Sequence, residues 1–155
     1  MPERISRWVE CFKSAADKWN VDPVILAAIC ERESKGGAAL MPIGPTGTGD
    51  GGHGRGLMQI DDRTWGEWLS THFWQSPIVN ITKGAEILAT NLLILKGYMP
   101  GAICAYNAGP SAARRALIGT QDVPERDKIA KLDAVTAGHN YVSAVLILAE
   151  AFRNP

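Results

Sequence analysis

Between Gly49 and Asp61 the chain reads GDGGHGRGLMQID, with five glycines, two aspartates and an abrupt change to an apolar run. Upstream, the stretch AAICERES carries Glu33 near its end. Cleaving a glycosidic bond takes one carboxylic acid to protonate the departing oxygen. It also takes a carboxylate to handle a water or the developing positive charge. A glycine-rich turn is a good device for bringing a second acid opposite a helix-borne first one. Partial burial at the end of an apolar helix disfavours ionisation of Glu33, as a general acid working near neutrality requires. Each acid also has a plainer reading. Glu33 pairs with Arg32 or Lys35 on a solvated helix end, Asp50 makes an Asx turn, and Asp61 caps the segment holding Trp65 and Trp68. The joint occurrence of the three favours chemistry.

The elements that must position these acids are mostly helical. Ile5, Trp8, Val9, Phe12 and Ala16 recur at spacings of three and four, which predicts an amphipathic helix from about Ile5 to Trp19. Asp22 followed by Pro23 is an N-cap and a first-turn proline. They open a second helix from Val24 to about Ser34, apolar nearly all round and therefore central. Gly36 to Gly56 reads as a long functional loop, and Leu57 to Ile60 as a short strand or hairpin arm. Asn80 is expected to cap a helix reaching about Lys96, with Gly97 beyond its end. Pro100 opens a short helix stopped by Gly109-Pro110, Ser111 caps another, and a last one runs from about Asn140 to Arg153. No repeat, low-complexity tract or domain boundary interrupts 1–155. The expected fold is one domain, α+β but mainly α.

Composition narrows the functions. Of 155 residues, 46% are apolar and 21% charged, the profile of an ordinary globular protein. Sixteen basic and sixteen acidic residues cancel, so no overall field draws the chain to nucleic acid or an anionic membrane. The pair Arg114-Arg115 is too short to change that. Cys11, Cys30 and Cys104 lie far apart and read as buried or inert thiols, although one disulfide pair stays open. His53, His72 and His139 lack metal-ligand spacing, and neither metal nor organic cofactor is expected. The first twenty residues lack the apolar core of a secretory signal, and no apolar run is long enough for a bilayer span.

The run ERES, the block GDGGHGRGLMQID and the later AYNAGP, in that order, resemble goose-type lysozyme within the lysozyme-like superfamily that includes soluble lytic transglycosylases. The resemblance spans about Asp22 to Phe152. It implies a lysozyme-like domain with its long central helix at about Asn80 to Lys96 and a small β-element next to the cleft. It also implies Glu33 as general acid, and Asp50 and Asp61 as the carboxylates that orient the attacking water. Gln59, Tyr106, Asn107 and Tyr141 match positions that contact the sugar. The implied reaction is hydrolysis of peptidoglycan with inversion, acid and base standing about 6.5–9.5 Å apart. A lytic transglycosylase, a chitinase and a non-catalytic saccharide-binding relative are the alternatives. Trp65 or Tyr106 is a candidate for stacking on a sugar face, whereas Trp8, Trp19, Trp68 and Trp74 read as structural. The expected partner is peptidoglycan or a chitin-like polysaccharide, with a proteinaceous lysozyme inhibitor as a candidate. A monomer acting on the cell wall, extracellular or periplasmic, completes the expectation. Neutral charge favours a bacterial or phage-type wall enzyme over a cationic defensive one.

Overall fold

A computed structural model describes residues 1–154. In chain order the helices and strands are α1 (Glu3–Ser6), α2 (Val9–Trp19), α3 (Pro23–Ser34), β1 (Thr48–Gly49), β2 (Gly54–Arg55), β3 (Ile60–Asp61), α4 (Asp62–Thr71), α5 (Pro77–Ile94), α6 (Met99–Ala108), α7 (Pro110–Ala116), α8 (Glu125–Asp133) and α9 (Tyr141–Arg153). The fold is mainly helical, with one small antiparallel sheet in the order β1-β2-β3. Both features agree with the expected α+β class.

Helix α3 is the central rod. Asp22 Oδ1 accepts from Val24 N at 2.7 Å, and Pro23 occupies the first turn. Every residue from Ile25 to Cys30 is buried. Helix α9 packs against α3, α2 against α5, and α6 against α5 and α7. All three cysteines are free, with Cys30 and Cys104 in the core. Among the described residues, no helix is long and apolar enough to cross a membrane.

Four local expectations are corrected. The first amphipathic segment breaks between α1 and α2, because Trp8 leaves helical geometry and turns its indole N–H toward the Gly36 carbonyl at 3.4 Å. The arm from Leu57 to Ile60 is mostly turn: Gly56 and Gln59 take positive φ, Gln59 N bonds Gly56 O at 3.1 Å, and the strand begins only at Ile60. Buried Leu57 and Met58 fill the core from that turn. Helix α5 starts at Pro77, not behind a cap at Asn80. Helix α7 starts at Pro110 behind Gly109, so Ser111 lies inside it.

Asn80 instead ties α5 to the sheet. Fully buried, it accepts from Met58 N at 2.8 Å and donates to Arg55 O at 3.1 Å. Gly56 must lack a side chain here, since a Cβ would stand 2.5 Å from the Asn80 amide nitrogen. Ser34 Oγ, at the end of α3, donates to Leu57 O at 2.7 Å from the other side. Two helices therefore grip one turn. Asn80→Ala leaves a buried donor and acceptor unpaired, each costing about 1–3 kcal/mol. The variant should lose at least about 2 kcal/mol in denaturant titration, and a smaller loss would mean the turn is held by packing alone.

Candidate active site

The last turn of α3 delivers Glu33 to a half-buried position facing the start of α9. Its neighbours do not pair with it in the plain way. Glu31 is bound by Arg4, with Nε at 3.0 Å, and Arg32 donates to Asn140 Oδ1 at 2.8 Å. Glu33 Oε1 accepts a short hydrogen bond from the Tyr141 hydroxyl. Burial pushes its carboxyl from 4.5 up to about 7, against the opposing pull of the Tyr141 hydrogen bond and Arg32, and with a further push from the charge of Asp50. Tyr141 and Tyr106 stay neutral phenols, raised by burial first and then by Glu33. The site thus contains a carboxyl that is still half protonated near neutrality, between two phenols.

Tyr141 is itself fixed from below. Asp133, buried, accepts from Val142 N at 2.7 Å and from Ser143 N at 3.3 Å, capping the first turn of α9. The Arg32 guanidinium stands 5.7 Å from the Tyr141 ring centroid.

The two aspartates lie at the sheet. Asp61 ends β3 and caps α4, accepting from Arg63 N at 2.8 Å and Thr64 N at 3.3 Å. The plain capping reading of Asp61 therefore holds, and it is compatible with a place in the cleft. Asp50 makes no Asx turn: its backbone carbonyl closes the turn with His53 N at 3.1 Å. Its side chain reaches across to Arg63 Nη2 at 2.8 Å, while Arg63 Nε lies 3.1 and 3.0 Å from the two Asp61 oxygens. One guanidinium therefore clamps both carboxylates. The Arg63 hydrogen bond holds Asp61 below its usual range, so it is ionised in weakly acidic solution. Next to this clamp, Asp62 is bound by Arg55 at 2.7 Å and His53 at 2.9 Å, which pins β2 to the start of α4.

A cavity of about 410 Å³ opens between this sheet, α4, α5 and α6. It brings together Gln59, Asp61, Tyr106 and Asn107 of the expected set, with Trp65 and Asn91 beside them. Glu33, Tyr141 and the exposed Asp50 are not among the residues that line the cavity itself. Gln59 has φ +48, donates to Gly56 O at 2.8 Å and slots its amide oxygen between two strands: a Cβ on Gly49 or Gly54 would come within 2.3 or 2.2 Å of it. The Tyr106 hydroxyl is spent on Met58 O at 2.9 Å, leaving its ring to the cavity. Asn107 Oδ1 accepts from Ala137 N at 2.9 Å, leaving its amide N–H groups free to donate. One face of Trp65 is covered by the Lys83 ammonium, 3.8 Å from the ring centroid.

Two residues escaped the sequence reading. Arg63 hides in an ordinary run after a helix cap, and only its two-residue spacing from Asp61 hints that it folds back. Asn91 carried a clearer signal, a polar residue on the apolar helix α5. It is 5% exposed, lines the cavity and makes no side-chain hydrogen bond among the described residues. Its amide atoms reach the cavity surface, so a ligand or water there can supply the partners.

Residues 10–129 match the family model described as the transglycosylase SLT domain. The chain belongs to that family. Among its relatives is lysozyme g of Struthio camelus, 35% identical over 124 residues, which are 72% of this chain and 55% of that protein. Invasion protein IagB of Salmonella typhimurium (strain LT2) is 32% identical over 112 residues, 69% of this chain and 67% of that one. The fold is shared with an inactive mutant of lytic transglycosylase Slt from Pseudomonas aeruginosa, at TM-score 0.69 and 23% identity, covering 94% of this chain and 24% of that one. The resemblance to goose-type lysozyme is thus borne out, although the chain spans only a little over half the length of the bird lysozymes g. The SLT match starts earlier than the expected Asp22 and stops before α9, so Tyr141 lies outside it.

Because folding raises the Glu33 pKa, the native state binds this proton more tightly than the unfolded chain. Its stabilising effect is complete below the ordinary value of 4.5 and is lost as pH rises through about 7. Glu33→Gln should therefore match wild type in thermal stability at pH 4 and exceed it at pH 8.5 by up to about 3 kcal/mol. Equal midpoints at both pH values would show the carboxyl to be solvated.

Proposed function

We propose that this SLT-family domain hydrolyses the β-1,4 linkage between N-acetylmuramic acid and N-acetylglucosamine in peptidoglycan, outside the cytoplasmic membrane. One observation carries the reading. A half-buried carboxyl raised to about 7 stands near enough to Asp50 to feel its charge, one arginine holds both Asp50 and Asp61, and Asp61 lines a cavity together with amides and an aromatic ring. Glu33 donates its proton to the bridging oxygen as the bond to the anomeric carbon breaks. A water held by Asp50 and Asp61 adds its oxygen to that carbon and passes its proton to the carboxylate pair. Tyr141 acts as a positioning residue: its hydroxyl fixes the Glu33 carboxyl and does not touch sugar. The free N–H groups of Asn107 and the unpartnered amide of Asn91 suit the acetamido and hydroxyl groups of the glycan. The Tyr106 ring suits a pyranose face.

A second reading has its own observation. Arg63 occupies oxygens of both aspartates, which weakens them as bases. With no effective base for water, the sugar's own hydroxyl captures the anomeric carbon and a lytic transglycosylase results. The mass of the muropeptides released from purified peptidoglycan separates the two readings: reducing ends support hydrolysis, and 1,6-anhydro ends would overturn it.

Glu33→Gln should lower the cleavage rate about 10²–10⁴-fold. In wild type the rate should fall about tenfold per pH unit above about 7, as Glu33 ionises. Retained activity in the variant, or a rate still rising at pH 9, would remove Glu33 from the acid role. Arg63→Ala should move the acidic limb of the profile to higher pH, because Asp61 returns toward its ordinary range. An unmoved limb would mean that the clamp does not set the state of the aspartates.

A further inference from the structure

A second cavity, of about 750 Å³, lies between the C-terminal ends of α5 and α7. Lys96, Arg114 and Arg115 line it, and no carboxylate does. None of the three cations makes a salt bridge or side-chain hydrogen bond among the described residues, although the chain as a whole carries no net charge. Single cations at helix ends commonly do no more than offset the helix dipole. Here the carbonyls at those ends are already engaged, Leu92 O by Gly97 N at 2.8 Å and Arg115 O by Ile118 N at 3.2 Å. Three positive charges from two helices instead converge on one hollow. Ser111 and Gln121 add hydrogen-bonding groups, and Ile118, 75% exposed, adds an apolar edge. The hollow adjoins the cavity of the candidate active site, and Ile94 lines both.

We propose that this basic hollow binds the carboxylate-bearing peptide carried by the glycan whose sugars occupy the adjoining cavity. The inference rests on the peptidoglycan reading above. Charge complementarity and the position next to the sugar cavity select this occupant: a strand lying past Gly109 and Pro110 brings a peptide substituent of one of its sugars over Arg114 and Arg115. Lys96 closes the other side. Arginine forks suit carboxylates in particular. A uniform chitin-like polymer has nothing to place there, so the hollow would set preference between wall glycans.

The test compares wild type with Lys96→Ala/Arg114→Ala/Arg115→Ala, all three exposed positions, on two probes. One is soluble peptidoglycan strands with their peptides, and the other is the same strands stripped of peptide by an amidase. Binding is measured by titration in the Glu33→Gln background, and cleavage in the active background. For peptide-bearing strands the triple variant should raise Kd and KM about tenfold with kcat unchanged, and salt should weaken wild-type binding but hardly that of the variant. Peptide-free strands should show no difference. Equal effects on both strands, or none on either, would overturn the proposal. So would a variant that loses co-sedimentation with anionic phosphatidylglycerol vesicles while keeping wild-type affinity for peptide-bearing strands, which would assign the patch to a lipid surface. Peptide-dependent binding without any cleavage would retain the hollow and sink the hydrolase reading, whereas cleavage indifferent to peptide would do the reverse.

Discussion

A carboxyl whose neutral form is favoured by burial, at the end of a buried helix, is the constraint around which the rest of the molecule is arranged. Burial of an acid favours its neutral form, but it also threatens the fold once the acid ionises. The structure contains both tendencies at Glu33. Helix α3 is sunk in the core from Ile25 to Cys30, and its last turn, with Glu33, comes partly out of it. Tyr141 supplies a hydrogen bond that tempers the desolvation and, more usefully, fixes where the proton points. Arg32, which would otherwise stabilise the anion strongly, is drawn aside onto Asn140.

Opposite this neutral acid the charged side is organised by different physics. Asp50, Asp61 and Arg63 are exposed or nearly so, and exposed ion pairs contribute little to stability. Their value lies in geometry. Asp61 is fixed by its capping bonds to α4, Arg63 folds back on it, and Asp50 is brought in by a backbone in the left-handed region at φ +49. Gln59 takes a similar conformation at +48. Unusual backbone at two positions of one small sheet costs energy that the surrounding structure must offset. It is offset where Asn80 and Ser34 grip the turn at Leu57 and Met58.

The parts legible in the sequence are those where local chemistry and tertiary structure agree. Asp22-Pro23 followed by a continuous apolar run could hardly be anything but a capped central helix, and α3 forms as expected. The order of ERES, GLMQID and AYNAGP was enough for the family. Helix α8 was not legible, because only Leu132 and Asp133 of its nine residues are buried and its apolar periodicity is weak. Asn80 misled in an instructive way. Asparagine is a good helix cap, but Ser76 and Pro77 lie a turn earlier, and the amide was needed inside. Glu33 was visible as an acid on an apolar helix. Arg63 was not visible as a clamp, because its meaning depends on Asp50, thirteen residues away in the chain and adjacent only after the sheet has formed.

The supports of the site share an origin in how helices end. Each end leaves backbone groups without partners, and in a small molecule several such ends must meet inside. Asp133 satisfies the first turn of α9 and thereby fixes Tyr141, and Asp61 satisfies the first turn of α4 and thereby anchors the carboxylate pair. Ser34, at the last turn of α3, binds the sheet turn and also accepts from Gly37 N at 3.1 Å. Capping and site construction are therefore one set of interactions. Each such end is a place where a polar side chain is held rigidly at the edge of the core. Asn91 departs from this pattern: it stands in the last turn of α5, caps no helix, and lines the cavity, where a ligand or water can complete its hydrogen bonds.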